Sequence, residues 1–244
     1  MNSVIAAITL RQLVSRRRTV LLLLLGLVLV AVALVFRLAG EEARAMHFTA
    51  GLLSSLGVGT LMPLVALILG TGAIGAEIDD GTAVFLLSKP LSRRSVVLTK
   101  LVVAAACAIA LTCGPMLVAG LIGAGGLGDG LVLGFVAAAA IGSVLYAAIF
   151  LALSLVTSRA LVLGLAYVLI WEGLLAGLFA GTRTFSIRQQ TLAFADALAG
   201  VPKAVFEAKL DVATATVVGV ILLVGATLIA IRRLSSFEIA GETA

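Results

Sequence analysis

The chain has 244 residues, 62% of them hydrophobic and 12% charged, with a formal net charge of +5. Its mean hydropathy is +1.25, which excludes a soluble domain of this length, because such a domain needs far more polar surface. The Lys and Arg residues gather at the ends of apolar runs, so the basic excess points to membrane topology and away from nucleic acid.

In chain order, Asn2–Arg18 mixes Val4, Ile5, Ile8, Leu13 and Val14 with Arg11, Gln12 and Arg16. Its apolar and polar residues segregate imperfectly on a helix, so residues 1–18 give only a weak signal for an interfacial helix. Arg16-Arg17-Arg18 before Thr19–Phe36 has the layout of a signal peptide, but the apolar run is too long for one and reads as a first span. A crossing takes about 20 apolar residues at about 1.5 Å each. Six runs qualify: Thr19–Leu38, Leu52–Ala76, Ser95–Ile122, Leu131–Val156, Ala160–Ala180 and Val212–Ile231. One transmembrane domain thus accounts for residues 1–244, an all-α membrane protein. The Gly-rich Gly123–Gly130 reads as a tight turn between the third and fourth spans.

Eleven Lys and Arg residues fall on the side that holds both termini and six on the other, which makes the first side cytoplasmic. The longest piece between spans is then the outer segment 181–211. Within it, Thr184–Leu198 suggests either a short amphipathic helix on the outer leaflet or an ordinary covered loop.

Gly75–Arg94 is a sizeable polar, charged island between two long apolar runs. Glu77, Asp79 and Asp80 crowd the end of one helix, and Arg93 and Arg94 the start of the next, against the preference of both helix dipoles. Gly81 can close the second span and Thr82 can cap a short helix over Ala83–Ser88 that exposes Phe85, Leu86 and Leu87. Pro90 ends it, and Ser92 can cap the third span. Burying that apolar tip against a partner would recover about 1.5–3 kcal/mol per large side chain. The plainer reading is a cytoplasmic loop whose charges enforce topology.

The pattern Gly75-Ala-Glu77, Gly81-Thr82, Leu86-Leu87-Ser88-Lys89-Pro90 and Arg93 resembles the signature of ABC-2 type transporter permeases. The likeness is to the small single-domain permeases, such as those of nitrous oxide reductase maturation. The motif covers about 20 residues, and the six-span plan with its basic N-terminal segment extends it over the whole chain. The resemblance implies a fold like that of the type V exporters, with an N-terminal interfacial helix, six spans and a cytoplasmic coupling helix after the second. It implies work as a dimer of permeases, homodimeric or heterodimeric, on two copies of an ABC ATP-binding subunit. Glu77, Gly81, Thr82, Leu86, Leu87, Pro90 and Arg93 take the coupling positions. Asp79 and Asp80 depart from the pattern, since a basic residue often stands near the Glu.

Other residues weigh less. Glu172, beside Trp171 in the fifth span, is an expensive mid-membrane carboxylate. It faces the substrate path or dimer axis, or it bonds neighbouring helices. Gly173, Gly177 and Gly181 form a small-residue face for packing within the chain or between two permeases. Cys107 and Cys113 lie six apart on different helix faces and are expected as free thiols. His47 beside Met46, in an outer loop, is too little for a metal site.

No Gly-x-x-x-x-Gly-Lys-Ser/Thr phosphate loop occurs, so ATP and Mg belong to a partner ATPase and this chain is expected to bind no cofactor and catalyse nothing. The favoured reading is the permease of an ATP-driven exporter in the cytoplasmic membrane. Its apolar path suits lipids, drugs or hydrophobic peptides better than sugars. A secondary transporter or channel built on Glu172 and an intramembrane enzyme built on Glu41-Glu42 and His47 are weaker alternatives.

Overall fold

The computed structural model describes residues 3–14, 16–40, 44–75, 77, 92–127, 130–178 and 180–236. Most of these residues are helical and no strand occurs among them, as a bilayer demands of a backbone that must satisfy its own hydrogen bonds. The helices in order are α1 (Ser3–Leu13), α2 (Arg16–Leu38), α3 (Ala45–Gly72), α4 (Arg93–Ala124), α5 (Leu131–Val156), α6 (Ala160–Leu178), α7 (Ile187–Ala199) and α8 (Val212–Ser235). Six of them, α2–α6 and α8, are long and apolar enough to cross a membrane.

α1 packs on α4; it buries Ile5, Thr9 and Leu13, one helical face, and leaves Ile8 and Leu10 exposed. α3 and α5 are buried on most sides, whereas α2, α6 and α8 bury one face and leave rows of Leu, Val and Ile open to lipid or a partner. α5 is the central pillar: α3, α4, α7 and α8 all pack on it. α4 carries Pro115 mid-helix, and its ring fills the space beside Gly26 of α2.

Two of the spans contain a widened π-helical stretch, Leu53–Leu61 in α3 and Tyr167–Leu175 in α6. In α3 a cause is visible in the sequence. Pro63 lacks an N–H and crowds the carbonyl four residues back, so the turn just upstream widens to accommodate it.

The structure adjusts two expectations and meets a third. α3 starts seven residues before the expected Leu52, so His47 lies in its first turn and not in a loop; its Nε2 is 3.2 Å from the Ala204 carbonyl oxygen. The turn between α4 and α5 forms as expected, with Gly125 (φ 76°) and Gly130 (φ 72°) in the left-handed region. The segment between the fifth and sixth spans does contain a helix, α7, but it is buried in the bundle instead of lying on a surface. Ile187, Gln190, Thr191, Ala193 and Ala195 are all sequestered.

α7 runs antiparallel to α5. Thr191 sits on Gly142, and Ala199 sits on Gly134, where an added Cβ would come within 2.5 Å of the Ala199 backbone. These two glycines, met by the small residues of α7, let the helix axes approach closely, which no reading of α7 alone reveals. Since Gly142 is near the middle of α5, the N-terminus of α7 lies at mid-span depth.

Candidate functional site

Two polar regions are built into this apolar bundle, one at a helix end and one at its centre. The first joins α3 to α4. Lys100 is fully buried, and its Nζ donates to the Ala73 carbonyl at 2.7 Å and to Glu77 Oε1 at 2.6 Å. The last carbonyls of a helix have no partner within it and form its negative pole. Lys100 brings an ammonium to that pole and pairs the carboxylate just beyond it. Arg18 approaches the same helix end, its guanidinium against Gly72. The acid at the end of the second span, out of place by sequence, is thus balanced by a cation reaching across from the third.

Arg93 and Arg94 form the first turn of α4. Ser92 occupies the N-cap position, but its side chain makes no capping bond; its carbonyl accepts from Val96 N–H at 3.2 Å. Asp79, Asp80, Gly81, Thr82, Phe85, Leu86, Leu87 and Pro90, with the expected helix Ala83–Ser88, lie outside the described residues.

The second region surrounds Glu172, which is 2% exposed. Its Oε1 accepts from Tyr167 Oη at 2.8 Å and from the Ile187 backbone N–H at 2.9 Å, and its Oε2 accepts from Ser186 Oγ. Ser186 is the N-cap of α7, and its Oγ accepts in turn from Gln189 N–H at 3.1 Å. The carboxylate is therefore clamped on the positive pole of a buried helix and uses donors that would otherwise be orphaned. Tyr167 and Glu172 are five residues apart, one turn of the widened stretch, and that widening brings them onto one face. Tyr146, fully buried on α5, stacks on Phe150, which meets Tyr167 edge-on.

Gln190, also fully buried, donates to the Thr184 carbonyl at 2.9 Å. Arg188, on the first turn of α7, lays its guanidinium over Gly59 in the widened stretch of α3. An arginine at the middle of a membrane helix costs about 2.5–3.5 kcal/mol on insertion scales, so its position calls for a purpose.

Trp171 is half-buried, while Gly173 and Gly177 lie on the exposed side of α6. A Cβ added at Gly177 or Gly181 would meet no atom within 4 Å, so this part of the face packs against nothing among the described residues. Cys107 and Cys113 are free thiols. Sequence reading missed Lys100 as the partner of Glu77, and Ser186, Tyr167 and Arg188 altogether. One signal was available: Lys100 is a charge two turns inside an apolar run, where a cation needs a partner.

Six apolar spans around a buried polar centre define an α-helical integral membrane protein with the plan of a small permease. The chain matches the family model described as ABC-2 family transporter protein over residues 3–237, and it belongs to that family. It is therefore a permease component of an ABC transporter, and the family implies association with an ABC ATP-binding subunit. No curated protein matches the chain.

Proposed function

We propose that this permease is the membrane half of an ATP-driven exporter, with both termini and residues 75–94 in the cytoplasm. Two copies, most simply a homodimer, sit on two ATP-binding subunits that hold ATP and Mg. Ala83–Ser88 is the coupling helix, Phe85, Leu86 and Leu87 its docking tip, and Asp79, Asp80, Arg93 and Arg94 the charges around it. α1 lies at the cytoplasmic interface. The bare Gly173–Gly177 side of α6 meets the second permease. The cargo is an apolar or amphipathic molecule such as a lipid, a drug or a hydrophobic peptide.

The Lys100 clamp carries this reading. It fastens α3 and α4 to each other on the flank of residues 78–91, so a push there would move both helices as one lever. ATP-driven closure of the partner subunits would tilt the pair and switch access of the path between leaflets. Leu86→Ala with Leu87→Ala should abolish permease-stimulated ATP hydrolysis and transport while the permease still folds and inserts. Normal stimulation in that variant would sink the coupling assignment. Disulfide cross-linking at Gly177→Cys should trap a dimer, and failure to do so removes α6 from the interface.

A further inference from the structure

We propose that Arg188 is the contact for the anionic head, a phosphate or carboxylate, of an amphipathic cargo molecule. The proposal deepens the permease reading and rests on it.

Two independent placements put Arg188 at the middle of the membrane. It lies one turn deeper than Thr191, which rests on Gly142 halfway along α5. Its guanidinium covers Gly59, halfway along the 28 residues of α3. The contact is close: a Cβ added at Gly59 would come within 3.1 Å of Arg188 Cζ and Nε. Glycine at this position is what leaves the planar group room to lie flat.

The guanidinium is not consumed by the fold. Arg188 Nε is buried without a hydrogen-bond partner, and among the described residues Arg188 forms no ion pair. The nearby carboxylate, Glu172, has both oxygens engaged by Tyr167, Ser186 and Ile187. A forked donor held at mid-membrane depth is matched to a planar or tetrahedral oxyanion.

Its surroundings are open and polar on one side. Ser55 and Thr60 are exposed and, in the widened helix, share a face with Gly59; Thr60 Oγ1 donates to the Ser55 carbonyl at 3.4 Å. A helix turned wholly to lipid would carry apolar residues there. Leu56, also exposed on the same stretch of α3, adds an apolar side chain beside these hydroxyls. A charged head with an apolar body fits that arrangement better than a free ion does.

The test uses the full-length permease in an uncharged detergent, with a fluorescent phosphatidylglycerol as probe and phosphatidylcholine and inorganic phosphate as competitors. The wild type should hold the anionic lipid about tenfold more tightly than the zwitterionic one, the size of one charge-assisted contact. Arg188→Gln should lose that preference, Arg188→Lys should keep part of it, and Gly59→Val, which displaces the guanidinium, should lose it with Arg188 intact. Equal preference in wild type and Arg188→Gln overturns the proposal. So does competition by inorganic phosphate as strong as by the lipid, or an Arg188→Gln permease that has merely become monomeric. Co-purification of an ATP-binding subunit is scored on the same samples: its retention with no Arg188 effect defeats this inference alone, and its absence in the wild type defeats the proposed ATP-driven exporter beneath it.

Discussion

Glu77 and Glu172 are both carboxylates drawn into an apolar bundle, and the chain stabilises them by opposite means. Glu77 lies beyond the C-terminal pole of α3, where a negative charge is unwelcome, and a buried ammonium, Lys100, holds it there. Glu172 lies at the N-terminal pole of α7, where a negative charge is welcome, and neutral donors hold it, with no ion pair to it among the described residues. The first arrangement joins two spans. The second fixes a buried helix at mid-membrane depth. A carboxylate therefore tells little about its role until the pole beside it is known.

Breaking each site should separate the two modes, and the ion pair should cost most. Lys100→Met leaves the Glu77 carboxylate and the Ala73 carbonyl without their ammonium, and removing one partner of a buried pair costs about 3–5 kcal/mol. Thermal unfolding of the detergent-solubilised permease should show it, and adding Glu77→Gln should restore part of the loss. If the single and double variants unfold alike, the ammonium is serving the carbonyl alone.

Glu172→Leu comes next. It leaves the Ile187 N–H and the Ser186 and Tyr167 hydroxyls without an acceptor, at about 1–3 kcal/mol for the buried donors. Hydrogen exchange should speed up at the first amides of α7 while α4 stays protected, the reverse of the Lys100→Met pattern. Glu172→Gln keeps an amide oxygen as acceptor and should cost less than Leu. Unchanged exchange in α7 for both variants would falsify the capping role.

Ser186→Ala removes an N-cap and should cost about 1 kcal/mol, with the loosening again confined to α7. Tyr167→Phe removes one of three donors to Glu172 and should cost no more than about 1 kcal/mol. If Tyr167→Phe proves as damaging as Glu172→Leu, the π-helical alignment of the two residues matters more than the capping does.

How much of this was legible follows the physics of each signal. Six spans could be read because apolar length is a local property of the chain. The turn at Gly123–Gly130 could be read because glycine tolerates φ > 0. Helix α7 was half legible: its apolar residues suggested a helix, but its depth depends on Gly134 and Gly142, more than forty residues earlier. Glu172 stood out as an expensive residue, yet its donors at Ser186 and Ile187 come from the other side of a chain reversal. The Glu77–Lys100 pair spans two helices, and the charges near Glu77 in the sequence gave no hint of it.

Composition and periodicity alone determined that this is an all-helical membrane protein with six crossings, because the bilayer admits few other solutions for so apolar a chain. The Gly75–Arg93 pattern added its resemblance to the ABC-2 permeases. The tertiary structure decided where the charges go. A buried charge is tolerable only beside a partner or a helix pole, and which pole lies beside which residue is settled when the helices pack.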